Sequence, residues 1–325
     1  MKQTPLAMLI VGVLGLNTAQ GASVITFDPD GPGPESAIQV GAFDWSPDNA
    51  LAKGSSPLDN TLSFGLYSQG KLGNFLDASN VPISGTGLNT AYEITFQSVF
   101  YESGTATLNP PFVNANFGFY DDPHNANYFK IFWDDTPDAD PATGQGYDDG
   151  IEILTAHITE SVATFAINLD SQYQPKTADL DNYNGNQQPG YGTVIGEGGG
   201  QLKALVDAYD TQFFLTSITQ TLVDLYFNTS NITPFNQVEP TGPATATVGV
   251  VGQLPNFGGA GINGYAYVNG LNGNCEFGGS LCDFLFQSDA NQSFGVSNTV
   301  PEAPGWALLS LGLLAMGGLK RRRQH

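Results

Sequence analysis

The chain between its two ends lacks positive charge. Residues 22–299 contain five lysines and no arginine against 30 aspartates and glutamates, a formal charge of −25. Proteins that bind nucleic acid neutralise phosphates with lysine and arginine, so this composition excludes nucleic acid as a partner. The other cationic residues lie at the chain ends, where Lys2 precedes one apolar run and Lys320, Arg321, Arg322 and Arg323 follow another.

Residues and motifs that carry common enzymatic chemistry are scarce as well. The sequence has three histidines and two cysteines, and it has no G-x-S-x-G, H-E-x-x-H or P-loop motif. These absences exclude an α/β-hydrolase with its usual nucleophile motif, a zinc protease of the H-E-x-x-H type and a nucleotide-binding P-loop. We expect a protein that is not an enzyme. One alternative stays open, a secreted glycan hydrolase that uses paired carboxylates from among Glu93, Glu102, Glu152 and Glu160.

The N-terminal residues have the pattern of an export signal. Lys2 precedes the apolar run from Leu6 to Leu16, and the small residues Ala19 and Gly21 follow it. This order of basic start, short apolar core and small residues is typical of a signal peptide. We therefore predict a signal peptide over residues 1–21, with cleavage before Ala22. The alternative is a buried helix at the start of the domain.

The C-terminal residues predict a membrane anchor. The apolar run Trp306–Leu319 has 14 residues, and as a helix it spans about 21 Å at about 1.5 Å per residue. The hydrocarbon core of a bilayer is about 30 Å thick, and snorkelling basic side chains with an interfacial tryptophan can cover the difference. The basic stop Lys320–Arg323 is expected to stay on the cytoplasmic side, which leaves the acidic body outside.

The same tail resembles a known sorting signal. Val300, Pro301, Glu302 and Ala303 precede the short apolar helix and the terminal arginines, and this arrangement resembles the PEP-CTERM signal over residues 300–325. The usual core of that signal is Pro-Glu-Pro, whereas this chain has Ala303 and its next proline at position 304. The resemblance implies an exosortase as processing partner, transient anchoring in the inner membrane, and a final location at the cell surface or in the exopolysaccharide matrix.

The body, residues 22–299, has the pattern of an acidic β-rich domain, or of two closely joined ones. Polar and apolar residues alternate in several segments, and clusters of Gly, Pro, Asn and Asp separate them. Five segments alternate most clearly: those that begin at Thr61, Ala91, Asn127, Val162 and Leu222. We predict an all-β fold, an antiparallel sandwich or barrel-like sheet.

Three further segments of the body have less regular patterns. Residues 202–215 fit either a helix or a strand, because Leu205 and Val206 lead into aromatic residues. The glycine-rich residues 196–201 indicate a flexible turn, and the polar residues 287–299 indicate a spacer before the sorting signal.

The two cysteines predict a disulfide. Cys275 and Cys282 have six residues between them, including Gly278 and Gly279. This spacing suits a hairpin, and an exported chain with one nearby pair normally oxidises it. The closed loop is small, so the bond is expected to stabilise the fold by about 2–3 kcal/mol.

The acidic segment 130–154 is the most informative part of the body. It predicts a strand, a loop with Asp138 and Asp140, and a second strand after Asp148 and Asp149. Clustered carboxylates are the ligands that Ca²⁺ prefers, so these four aspartates are candidate calcium ligands. The alternative is an acidic, solvated loop without a metal. No other cofactor is expected.

The same segment, together with residues 284–294, resembles the PEP-CTERM proteins linked to bacterial flocculation. That resemblance implies a secreted or surface protein of the exopolysaccharide matrix that promotes flocculation or biofilm formation. A calcium-dependent, lectin-like carbohydrate-binding protein is the first alternative, and the glycan hydrolase is the second.

Neutral residues in place of Arg321, Arg322 and Arg323 should weaken membrane retention, because the positive stop is removed. Fractionation of cells that express the full chain measures this. The companion variant, Pro301→Ala with Glu302→Ala, should keep the anchor and block release. Unchanged retention in the first variant, or normal release in the second, would contradict the sorting hypothesis.

Overall fold

The computed structural model of the chain describes residues 23–31, 36–53, 55, 61–141, 144–180, 192–235, 271–272 and 284–295. These residues include no helix with the length and apolar character of a membrane span. The signal peptide, the sorting signal with Val300–Ala303 and Lys320–Arg323, and both cysteines lie outside them. Those predictions stay predictions.

Fourteen strands form the described part of the chain. In chain order they are β1 Ile25–Phe27, β2 Ile38–Val40, β3 Ala42–Lys53, β4 Thr61–Leu76, β5 Glu93–Asn109, β6 Phe112–Phe119, β7 Tyr128–Asp134, β8 Ile151–Asn168, β9 Thr177–Asp179, β10 Gly192–Val194, β11 Gly196–Tyr209, β12 Leu222–Asn231, β13 Leu271–Asn272 and β14 Phe284–Gly295. The five clearly alternating segments lie in β4, β5, β7, β8 and β12, which confirms the all-β prediction.

Nine strands build one antiparallel sheet that closes on itself. Its order is β11, β12, β14, β3, β4, β5, β6, β8 and β7, and β11 also pairs with β8 while β5 also pairs with β7. The short strands β6 and β7 share one position between β5 and β8, so the closed sheet has eight strand positions. Of the two predicted architectures, the strand pairing gives the barrel-like one.

Two predictions about local structure were wrong. The glycine-rich residues 196–201 belong to β11 rather than to a turn. Positions 196, 198 and 200 are glycines because β11 runs very close to β8: a Cβ atom built on Gly198 would lie 2.0 Å from the carbonyl oxygen of Thr164. The polar residues 287–295 lie in β14, where they pair with both β12 and β3 rather than forming a spacer. Residues 202–209, left open between helix and strand, continue β11.

The interior of the closed sheet contains two apolar clusters. The larger one includes Phe43, Trp45 and Phe96, together with aromatic residues of β1 and of the segment that follows β11. The second includes Phe64, Phe165 and Phe284 near the other end of the interior. A cavity of about 80 Å³ lies between them and is lined by residues of both clusters. The closed sheet therefore surrounds two packed cores and a chamber, called the inner chamber below.

Candidate functional site

The predicted calcium ligands lie on the loop that joins β7 to β8. Asp138 and Asp140 are in its first half, and Asp148 and Asp149 directly precede β8. The loop turns tightly at Asp140, whose N–H donates to the carbonyl of Gln145 at 3.0 Å. Gly146 has a φ of 78°, and a Cβ atom there would lie 2.5 Å from Oδ1 of Asp138. Glycine at position 146 therefore lets the Asp138 carboxylate fold against the loop.

Two residues of the sheet hold the first half of this loop. Oε1 of Glu93 accepts hydrogen bonds from the backbone N–H groups of Asp138, at 3.1 Å, and Ala139, at 2.9 Å. Nζ of Lys71 donates to the carbonyl of Ala139 at 3.1 Å and lies 3.9 Å from Oε2 of Glu93. An acidic and a basic side chain from neighbouring strands thus fix the backbone between the two candidate ligands.

A second set of contacts holds the rest of the loop. The buried hydroxyl of Tyr147 donates to Asp48, and the Tyr147 carbonyl accepts from the hydroxyl of Thr95 at 2.8 Å. Nδ2 of Asn49 donates to the carbonyl of Pro141 at 2.9 Å. The loop is therefore fastened to β3, β4 and β5 at points between Asp138 and Tyr147.

Burial makes the carboxyl groups of this site less acidic than usual. It raises the pKa of Asp48 to about 6, although hydrogen bonds from Tyr147, Asn49 and Gln69 favour the ionised form. Burial also raises the pKa of Glu93. The backbone N–H groups of Asp138 and Ala139 and the charge of Lys71 act in the opposite direction and lower it. The pKa of Asp148 is raised by burial and then by the neighbouring charge of Asp149. A bound cation would favour the ionised form of each group.

The described residues do not gather the predicted ligands into one metal shell. Among them, no three acidic, histidine or cysteine side chains converge as a set of metal ligands. Asp138 and Asp140 share the fastened half of the loop, whereas Asp148 and Asp149 lie beyond Tyr147. Calcium at these four aspartates stays a prediction.

Sequence reasoning missed most of the residues that position the loop, among them Asp48, Lys71 and Tyr147. Asp48 and Tyr147 are 99 residues apart in the chain. Asp48 follows Pro47 in a part of β3 with an irregular register, so no alternating pattern marked it. Only the pairing of β3 with β4, and of β4 with β5, brings these side chains beneath the loop.

The four glutamates proposed for glycan hydrolysis are widely spread along two strands. Glu93 and Glu102 are nine residues apart on β5, about 30 Å along an extended strand. They also face opposite sides, because Glu93 lies under the loop and Glu102 lines the inner chamber. Glu152 and Glu160 lie on β8 and bind Lys130 and Lys203 at 2.6 and 2.7 Å. Within each strand the spacing exceeds the roughly 5–10 Å that such chemistry uses.

A second surface lies on the outer side of β6, β8, β11, β12 and β14. The register places Val162, Gln201, Tyr226 and Asn291 side by side across four strands. Tyr226 is 55 % exposed and Val162 is 58 % exposed, and Nε2 of Gln201 donates to the Tyr226 hydroxyl at 3.2 Å.

The adjacent row is also uncharged over four strands: Asn116, Thr164, Gly199 and Asn228. We call these two rows the polar face; Asp224 and Asp289 border it.

Comparison with known proteins gave no relative for this chain. No protein-family profile, no curated protein and no solved structure matches it. The site must therefore be interpreted from its own geometry.

Glu102 is a buried carboxyl group that receives a hydrogen bond from a single side chain. It is 3 % exposed and accepts a hydrogen bond from Ser161 Oγ. Burial raises its pKa from 4.5 to about 7, and the Ser161 hydroxyl only partly offsets this. The folded protein therefore holds this proton more tightly than the unfolded chain, so the stability that Glu102 contributes falls as pH rises from about 4.5 through 7.

Glu102→Gln should therefore stabilise the protein in alkaline solution. The glutamine amide does not ionise, so the variant should exceed wild type by about 3 kcal/mol in unfolding free energy near pH 8, and the difference should fade near pH 5. Urea unfolding at both pH values measures this. Glu160→Gln, which removes an exposed carboxylate on β8, is the matched control and should change stability little. A Glu102→Gln difference that does not vary with pH would contradict the prediction.

Proposed function

We propose that this protein is a secreted or surface protein of the exopolysaccharide matrix that promotes flocculation or biofilm formation and is sorted by an exosortase. The observation that carries the proposal is the three-part tail: Val300-Pro301-Glu302, an apolar run, and Lys320–Arg323. The N-terminal signal pattern agrees with export, because it supplies the entry to the same route.

The charge distribution of the body supports a cation-dependent mode of action. Three of its five lysines, Lys71, Lys130 and Lys203, already have carboxylate partners at 3.9, 2.6 and 2.7 Å. These pairs leave little positive charge to contact an anionic polysaccharide. The acidic surface instead repels such a polymer over a Debye length of about 8 Å at physiological salt. Divalent cations overcome this repulsion when they bridge carboxylates on the two partners.

The loop between β7 and β8 is the ordered place for such a bridge. Glu93 and Lys71 fix the backbone at Asp138 and Ala139, so the two candidate ligands Asp138 and Asp140 are held on a short, shaped segment. A pre-shaped segment loses less conformational entropy when it binds an ion than a free loop does. Calcium would bind carboxylate and carbonyl oxygens there, with the polysaccharide supplying the remaining ligands.

Aggregation that depends on this protein should require Ca²⁺ and should be reversed by a chelator. Asp138→Asn with Asp140→Asn should reduce it if the loop binds the ion, because two carboxylate ligands are lost. Settling of cells or of polysaccharide-coated beads with purified protein measures this. The control is Asp121→Asn with Asp122→Asn, which makes the same charge change on another loop. Full aggregation in chelator at low ionic strength would contradict the cation mechanism.

The polar face favours carbohydrate binding as a second candidate function. Tyr226 presents an aromatic ring to solvent among amide and hydroxyl side chains, in particular Gln201, Asn228 and Asn291. A ring of this kind packs against the apolar side of a sugar, and the amides donate to and accept from its hydroxyl groups. Outward-facing side chains are about 7 Å apart along each strand and about 5 Å apart between neighbouring strands. Together they form a shallow surface that is open to a polymer chain.

Tyr226→Ala should lower affinity for a neutral polysaccharide about fivefold to tenfold, because about 1 kcal/mol of ring packing is lost. Affinity electrophoresis in gels that contain a neutral glucan or a galactomannan measures this. Tyr173 is 61 % exposed, has a φ of 60° and lies in the turn after β8. The control Tyr173→Asn removes that ring and suits the left-handed backbone. Equal losses in both variants, or no retardation of wild type, would contradict a binding role for the polar face.

A further inference from the structure

The inner chamber is a built cavity that neither proposed function uses. It has a volume of about 80 Å³ and lies inside the closed sheet, between the two apolar clusters. Its walls are mainly apolar, with Phe64, Phe100, Phe165 and Phe227 among the lining residues. A closed sheet of eight strand positions has an interior just wide enough to be filled by side chains or to hold one small ligand.

Two polar groups that line the chamber are short of partners. Ser161 donates a hydrogen bond to Glu102, whereas a carboxylate has about four acceptor positions. The buried Thr229 hydroxyl has no hydrogen-bond partner among the residues that the structure describes. Ser68 and Ser98, by contrast, satisfy each other at 2.5 Å. A buried carboxyl group with so few donors is costly, because its desolvation is poorly compensated.

The chemistry of this chamber selects its ligand. Apolar walls favour a hydrocarbon body, and a buried carboxylate favours a cationic donor, which forms shorter and stronger hydrogen bonds than a neutral one. The faces of aromatic rings also attract an ammonium group. We propose that the inner chamber binds a short primary alkylamine, with its ammonium group on Glu102 and its alkyl chain between the phenylalanine rings.

The volume limits the size of this ligand. The chamber has about half the volume of an engineered cavity of about 150 Å³ that holds benzene. A ligand of about four non-hydrogen atoms fits this space, such as propylamine. Its ammonium group has three donors, and Glu102 accepts at least one of them.

Binding of the amine should depend on pH. Among the described residues that line the chamber, Glu102 is the one titratable side chain; the others, Ser55 and residues on β3, β4, β5, β6, β8, β11, β12 and β14, have no titratable side chain. Burial raises the pKa of Glu102 to about 7, whereas an alkylamine stays protonated to about pH 10. Affinity should therefore rise between about pH 5 and pH 8, as Glu102 ionises.

The test is calorimetric titration of the purified full chain with propylamine, followed by chemical-shift mapping of the chamber residues. Wild type should bind propylamine saturably near pH 8, and about tenfold more tightly than 1-propanol, which has the same size and no charge. Propionate should not bind, because its charge repels Glu102.

Three variants make the test specific. Glu102→Gln should reduce the preference for the amine over the alcohol about tenfold, whereas the matched Glu160→Gln should leave it unchanged. Ala163→Leu should abolish binding while Glu102 is kept, because the added side chain fills the chamber. Circular dichroism and urea unfolding confirm that each variant is folded. No saturable binding to folded wild type, or equal binding by wild type and Glu102→Gln, overturns the proposal.

Discussion

The pairing of β8 with β11 is the constraint on which the rest of the structure depends. It runs from the Ile167–Gly196 pair to the Leu154–Tyr209 pair and joins the two sides of the sheet. The backbones approach so closely that a Cβ atom at Gly198 would lie 2.0 Å from the Thr164 carbonyl oxygen. Gly196, Gly198 and Gly200 are therefore a condition of closure, because a larger residue at any of these positions would force the two strands apart.

Closure assigns every second residue to the inside, and this gives one strand two unrelated roles. On β5, Ile94, Phe96 and Phe100 pack in the interior and Glu102 lines the chamber. Glu93 and Thr95 face the other way and fasten the loop that carries Asp138 and Asp140. A slip of one residue would exchange the two faces, because side chains alternate with period two. The chamber and the loop therefore depend on the same register.

Features of the fold that depend on neighbouring residues in the chain could be predicted from the sequence. Alternation predicted β4, β5, β7, β8 and β12, because each has one apolar side. Alternation failed for residues 196–201, because the glycines there allow a close approach to β8, which is distant in the sequence. It also failed for residues 287–295, because polar residues of β14 point both into the closed sheet and out of it. Similarly, the aspartates of the loop were visible as a cluster, but their support was not. Glu93 and Asp138 are 45 residues apart, and only the folded sheet brings them together.

An acidic chain that buries carboxyl groups must supply each of them with donors, and Asp48, Glu93 and Glu102 differ in how far this is done. Asp48 receives hydrogen bonds from Tyr147, from Gln69, and from the backbone and side chain of Asn49. Glu93 receives two backbone N–H groups and lies near Lys71. Tyr147, Asn49 and Lys71 among these donors also contact the loop, so the two carboxyl groups help to fix its position.

Glu102 is different, because a single side chain, Ser161, donates to it and the chamber walls around it are mainly apolar. Nothing in the packing requires a carboxyl there, since a glutamine or an apolar side chain would fill the same space at lower cost in desolvation. The cavity lies beside this carboxyl group, so the interior has room for an added donor next to Glu102.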